Sequence, residues 1–212
     1  MHKPKFETLA VKSTENTFSH AKPVSTPIYL SSTYQRNTDG SYADDLIYSR
    51  NNNPNRAIVE HSIAQLENGK FGFAFSSGLA AVSAVFYSLK SGDHIILPDD
   101  IYYAIKKLMD QVFKRWNLTY DLVDMSDLSA IENAIKPNTA MIWVETPSNP
   151  QLKISDVKAI SEIAHKHSFL CAVDNTWLTP VFMNPLDLGA DIVVHSTTKY
   201  FGGHSDVLGG AL

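Results

Sequence analysis

The chain has 212 residues, 44% of them hydrophobic and 19% charged, with a formal net charge of −4. That length holds one well-buried domain with room for appendages. The mildly acidic balance, with a pI near 6.0, gives no electrostatic case for a nucleic-acid partner or an anionic membrane surface.

Residues 1–50 carry Pro4, Pro23 and Pro27 among many Ser, Thr and Asn, without long periodic runs. They read as an extended arm over 1–50 that packs on something else, ahead of a main domain over 51–212. The first 30 residues are too polar for a signal peptide. The cluster Asn51-Asn52-Asn53-Pro54-Asn55 is a turn that can cap a helix. Ile58, Ser62, Ile63 and Leu66 follow at helical spacing as far as the stop at Asn68-Gly69.

From there strands and helices alternate. The pattern predicts a strand over 71–75, a helix over 79–89, a strand over 94–97 and a helix over 102–116. Next come a strand over 119–123 and a short helix from 127 to 135 with Leu128, Ile131 and Ile135 on one face. A strand over 140–144 precedes a helix over 155–167 with Val157, Ile160 and Ala164 inward. Strands over 169–173 and 192–195 complete the series. Residues 71–89 are uncharged and approach the length of a membrane span. Ser76-Ser77-Gly78 interrupts that run, so strand, turn and buried helix are expected instead, and no membrane partner.

Short apolar strands separated by helices predict an α/β domain with a mainly parallel sheet covered on both faces. The only cysteine, Cys171, lies inside one of these strands and reads as an inert core thiol. No disulfide is possible within the chain, which suits a reducing, cytoplasmic setting. His165 and His167 are two apart and share no helical face, so no metal site is expected.

In such sheets chemistry gathers at the carboxyl ends of the strands. Four predicted strands end in polar clusters: Ser76-Ser77-Gly78, Glu145-Thr146-Pro147-Ser148-Asn149, Asp174-Asn175-Thr176 and Ser196-Thr197-Thr198-Lys199. Ser77-Gly78-Leu79 opens a helix directly after a strand, where free amides and the helix dipole suit a phosphate. The alternative there is an ordinary tight turn. No Gly-x-x-x-x-Gly-Lys or Gly-x-Gly-x-x-Gly signature sits in the right context, which argues against the common nucleotide sites.

Lys199 and Asp174 at two strand ends match the needs of a pyridoxal 5'-phosphate (PLP) site. There a lysine forms a Schiff base and a carboxylate pairs with the pyridinium nitrogen. Taken singly, Asp174 could merely cap a turn and Lys199 could be a surface lysine. Tyr102, at a strand–helix junction, either stacks on a flat ring or packs in the core. His195 and His204 lie near in sequence and read as hydrogen-bonded structural histidines.

These motifs resemble the PLP-dependent enzymes of cysteine and methionine metabolism, the transsulfuration family. The resemblance spans nearly the whole chain. It is carried by Tyr48-Ser49-Arg50, Asn53-Pro54 with Arg56, Ser77-Gly78-Leu79-Ala80-Ala81, Gly92-Asp93-His94, Glu145 to Pro150 and Asp174-Asn175-Thr176. Most specific is the run His195-Ser196-x-Thr198-Lys199-Tyr200-x-Gly202-Gly203-His204-Ser205-Asp206.

The resemblance implies the PLP-dependent transferase fold, aspartate-aminotransferase-like and of fold type I. It implies that Lys199 carries the cofactor and shuttles a proton, that Asp174 keeps the pyridine nitrogen protonated, and that Asn149 meets the ring's phenolic oxygen. Tyr102 would stack on the ring and Thr176 lie beneath it. Ser77, Gly78, Leu79, Ser196 and Thr198 would form the phosphate cradle. Tyr48 and Arg50 would reach the phosphate of a neighbouring subunit, so a homodimer or homotetramer with shared sites is expected.

The implied activity is elimination on cystathionine by a carbon–sulfur lyase of the β or γ kind. The alternatives are γ-replacement on an acylated homoserine and an inactive PLP-binding fragment. Tyr103-Ala104-Ile105 stands where many members have Gly-Gly-Thr. Trp177 replaces a commoner Phe, as in some bacterial cystathionine β-lyases, whereas Pro180 and the run 184–190 look more like γ-synthases and γ-lyases. The chain also reads as shortened: a smaller C-terminal domain, with the arginine for the substrate's α-carboxylate, is expected beyond Leu212.

Overall fold

The computed structural model describes residues 4–12 and 23–212; the remainder of the predicted arm (residues 1–3 and 13–22) lies outside the described residues. The chain divides into two compact units, one ending at Ala74 and the other running Phe75–Leu212.

In the first unit, helix α1 spans Phe6–Lys12 and α2 spans Pro54–Leu66. Asn53 caps α2 as the sequence suggests. Its side-chain oxygen accepts the Asn55 and Arg56 N–H groups at 3.0 and 3.2 Å, and Pro54 occupies the first turn, where no N–H is needed. Asn68, at φ 56°, turns the chain out of the helix, and the Gly69 N–H closes on the Ala64 carbonyl at 2.7 Å. Residues 23–50 are mostly irregular, with a single antiparallel bridge between Thr33 and Tyr48.

Only Ala74–Phe75 (β1) forms a strand where 71–75 was expected. Phe71 and Phe73 are exposed, and the backbone here bonds to a helix: the Ala74 N–H donates to Glu60 Oε1 at 3.0 Å.

The second unit alternates as predicted through α3 (Gly78–Tyr87), β2 (His94–Pro98), α4 (Tyr103–Gln111), β3 (Thr119–Val123), α5 (Leu128–Asn133), β4 (Thr139–Glu145), α6 (Val157–Lys166), β5 (Leu170–Asp174) and β6 (Ile192–Val194), and adds α7 (Thr179–Phe182) before β6 and β7 (Gly210–Ala211) after it. Five strands form one parallel sheet in the order β3-β2-β4-β5-β6. Successive side chains alternate faces. Ile95, Leu97, Met141, Trp143, Ala172 and Val194 pack with α3 and α4, whereas Ile96, Ile142, Val144, Cys171 and Val173 pack with α5 and α6. Both faces are therefore covered, which is why these strands read as continuous apolar runs. Each fully buried large side chain stabilises the fold by about 1.5–3 kcal/mol.

Two expectations change in detail. The helix over 102–116 breaks at Val112 into a 3-10 turn, Phe113–Trp116. The break swings Phe113 into the core, where its ring meets Phe86 edge-on at 5.5 Å. Leu128 points to solvent, while Ile131 alone of that face is fully buried among the buried core residues. The short helix α7 was not foreseen, since Thr179 enters it at φ 60° and four residues leave no periodic trace.

Gly210 is tied to the site that follows. A Cβ there would lie 2.5 Å from the Ser77 carbonyl carbon and 2.8 Å from the Gly78 nitrogen, both backbone atoms that cannot yield. Gly210→Ala is expected to destabilise the protein by about 2–4 kcal/mol. A denaturant midpoint equal to that of the parent would contradict this packing.

Candidate active site

The sheet is parallel, so the carboxyl ends of β2, β4, β5 and β6 lie on one edge. There Glu145 pairs in register with Asp174, and Asp174 with Val194. The chain leaves this edge into four loops, which carry Tyr102, Asn149, Thr176 and Lys199 respectively. The topology thus brings together the residues that the sequence marked at strand ends.

Lys199 sits in a loop closed at its base. His195 and Ala211 exchange two backbone hydrogen bonds of 2.9 Å. One step outward, Thr198 Oγ1 donates to the Gly209 carbonyl at 3.1 Å and accepts the Gly209 N–H at 3.0 Å. Lys199 itself is exposed, held by its backbone to Ser196 at 3.1 Å and to Gly203 at 2.8 Å. The Thr198 hydroxyl proton is engaged in this arrangement, so a phosphate contact from it requires that proton to turn outward.

The start of α3 faces Ser196. Ser77 caps the helix by accepting the Ala80 N–H at 3.1 Å. The amides of Gly78 and Leu79 have no intrahelical acceptor, as at any helix start. A side chain at Gly78 would lie 2.8 Å from Ser196 Cβ and 3.0 Å from Ser196 Oγ. The absent Cβ lets the helix amides and the Ser196 hydroxyl converge on one point, which suits a phosphate.

Asp174 connects to this cradle through Thr176. The Thr176 hydroxyl accepts the Ser196 N–H at 2.8 Å, while the Thr176 amide donates to Asp174 Oδ1 at 2.9 Å. Burial pushes the Asp174 carboxyl up, against the pull of the Thr176 bonds and nearby His195. A desolvated carboxylate of this kind is stabilised by a protonated ring nitrogen set against it. Together with the Gly78–Ser196 cradle and the exposed Lys199, this donor set fits PLP.

Tyr102 is partly exposed, its ring 4.9 Å from that of Tyr103. Burial raises its phenol, and the neighbouring Tyr103 and Glu145 add to the effect. Asn149 is exposed, in the loop between β4 and α6, which is pinned by charge. Lys153 bridges Asp99 at 2.9 Å and Asp124 at 3.1 Å, and Ser148 donates to Asp100 in a short hydrogen bond. In the other unit, Arg56 donates to the carbonyls of Ser49, Arg50 and Asn51 and so shapes the turn that bears Tyr48 and Arg50. The Arg50 guanidinium lies over the Tyr48 ring, 5.0 Å from its centre.

Sequence reasoning noted Glu145 in a motif but gave it no role. It is 9% exposed, and burial together with Asp174 pushes it from the usual 4.5 up to about 8. The available signal was an acid at the end of a wholly apolar strand. Unfolding returns the group to its ordinary range. Between those values the unfolded chain gives up a proton that the folded chain keeps. The contribution of Glu145 to stability is therefore complete below about pH 4.5 and is lost as pH climbs to about 8. At about 1.4 kcal/mol per pK unit the ceiling is ~5 kcal/mol, and structural relaxation brings the expected loss nearer ~2 kcal/mol. Denaturant titrations of the cofactor-free protein near pH 5 and pH 8.5 should show this loss in the parent and a flatter profile in Glu145→Gln; parallel profiles would sink it.

Cys171 is buried and its thiol is pushed up to about 11, as expected of an inert core residue. His165 bonds Asp191 at 3.1 Å, and His204 lies 3.2 Å from the Gly202 carbonyl. No helix among the described residues is long and apolar enough to cross a membrane.

Comparison with known proteins accords with this geometry. The chain is 49% identical over 185 residues to a cystathionine beta-lyase of Staphylococcus haemolyticus, covering 87% of this chain and 47% of that protein. It is 50% identical over 190 residues to a cystathionine gamma-synthase of Mycobacterium leprae, covering 89% and 49%. It superposes on the crystal structure of metB from Corynebacterium glutamicum with a TM-score of 0.95 at 41% identity, covering 99% of this chain and 55% of that one. A cystathionine gamma-lyase from Lactobacillus plantarum, complexed with L-serine, gives 0.92 at 45%, covering 98% and 54%. The chain spans about half the length of the curated relatives it matches. The family described as Cys/Met metabolism PLP-dependent enzyme matches residues 7–212. That match covers nearly the whole chain, and the chain belongs to the Cys/Met metabolism PLP-dependent enzyme family.

Proposed function

We propose that this chain forms the cofactor-binding part of a carbon–sulfur lyase acting on cystathionine. The observation that carries the reading is the convergence of Lys199, Asp174 and the Gly78–Ser196 cradle on one sheet edge. When bound, PLP supplies an electron sink for charge left on the substrate's α-carbon. Lys199 would hold the cofactor through Nζ and would move the proton at the substrate's Cα. Asp174 would keep the ring nitrogen protonated. The Gly78 and Leu79 amides, with Ser77, Ser196 and Thr198, would hold the phosphate, and Tyr102 and Thr176 would pack against the ring. Asn149 would orient the ring through its phenolic oxygen.

A second reading, γ-replacement on an acylated homoserine, is favoured by the similarity to the cystathionine gamma-synthase. Product analysis decides between them. Cystathionine and water should yield an α-keto acid, ammonia and a free thiol amino acid under the first reading. An acylated homoserine plus cysteine should yield cystathionine under the second. Neither product from a PLP-loaded, folded protein would leave the inactive reading.

The arm belongs to the same proposal: Tyr48 and Arg50 reach the phosphate of a neighbouring subunit in a homodimer or homotetramer. What supports it is the guanidinium's suitability for bidentate phosphate contact and the exposure of Val24, Ile28 and Leu30 along the arm. Mixing Arg50→Ala subunits with Lys199→Ala subunits is then expected to restore activity, because some mixed sites hold an intact lysine and an intact arginine. Mixed oligomers that form without recovering activity would rule out shared sites. A cytoplasmic location completes the proposal, supported by a lone buried cysteine.

A further inference from the structure

Glu145 is the last residue of the central strand β4, between β2 and β5 in the sheet. Its carboxyl meets the loop after β2 and stands beside β5. Oε2 accepts the Tyr102 N–H, from the loop after β2, at 3.2 Å. Across the sheet Glu145 is in register with Asp174 of β5. The Tyr102 N–H thus finds its acceptor on a buried strand end, not within its own loop.

We propose that Glu145 is a positioning residue, one buried carboxyl that ties the backbone of Tyr102 to the end of β4 beside Asp174 and so sets the groups meeting the cofactor ring. This rests on the assignment of Tyr102 and Asp174 to that ring. The charged groups facing Glu145 are Asp174 from β5 and Asp100 from the loop after β2. Both are acids, so a Glu145 that retains its proton at neutral pH adds no further negative charge against Asp174. Glu145 thus supports Asp174 by geometry without competing with it for the ring nitrogen's proton.

The test compares Glu145→Ala, Glu145→Gln and Asp174→Asn in the PLP-loaded protein. It reads the visible circular dichroism per bound cofactor, and kcat and KM on cystathionine. Visible dichroism reports how the ring is held, and a role confined to global stability would not move it. Glu145→Ala frees the Tyr102 backbone and should lower kcat roughly tenfold to a hundredfold, leaving KM within about threefold. Its visible dichroism should fall by about half or more, at unchanged cofactor content. Glu145→Gln keeps a carbonyl oxygen that accepts the Tyr102 N–H, so its kcat and dichroism should stay within about threefold of the parent. Should the alanine variant fail to fold, Glu145→Leu, which offers no acceptor, decides: dichroism and kcat equal to those of the parent would overturn the proposal. If Asp174→Asn collapses kcat while the Glu145 variant without an acceptor matches the parent, only the role of Glu145 falls. If Asp174→Asn also retains full kcat, the ring assignment falls and this proposal with it.

Discussion

Lys199→Ala is expected to remove turnover by a factor on the order of 10⁴ or more, with little change in stability. Lys199 is exposed, and its backbone bonds to Ser196 and Gly203 do not depend on its side chain. Truncating such a side chain normally shifts stability by no more than about 0.5 kcal/mol. The loop base formed by Thr198 with Gly209 and by His195 with Ala211 remains in place. Borohydride reduction of the PLP-loaded parent should fix the cofactor to the peptide containing Lys199, readable by mass without any activity assay. Label on another lysine would end the assignment.

The second large effect has opposite signs in two measurements. Asp174→Asn should lower kcat by a barrier increase of about 3–5 kcal/mol, as for truncation of a buried charge pair. A neutral amide cannot keep the ring nitrogen protonated, so the electron sink fails while most cofactor contacts persist. Stability of the cofactor-free protein should move the other way or not at all. Burial holds the Asp174 carboxyl above its ordinary range, which means that its charge is unfavourable in the empty fold. Asparagine keeps the acceptor for the Thr176 amide and removes that charge. A variant with near-normal turnover, or one clearly less stable at neutral pH, would contradict the role given to Asp174.

The strand–helix rhythm was legible because both faces of the sheet are covered. Full burial forces runs such as Ile95-Ile96-Leu97 and Met141-Ile142-Trp143-Val144, which no exposed strand would carry. The ends of those runs were legible for the same reason, since Asp174 and the Ser196–Lys199 cluster are abrupt polar stops. Caps such as Asn53 and Asp127 are local chemistry and could be read directly. Strand order was hidden. That β4 stands at the centre, between β2 and β5, follows from which faces pack on which helices and leaves no mark in the chain's own order. The same ordering puts Glu145 beside Asp174, 29 positions later in the sequence, and within 3.2 Å of the Tyr102 amide. The break at Val112 and the shortened β1 also came from tertiary packing, as the core takes Phe113 and α2 holds Ala74. Local sequence determined the elements and the residue types of the site; long-range burial alone decided which of those residues became neighbours and how their charges shifted, because desolvation depends on the whole surrounding fold.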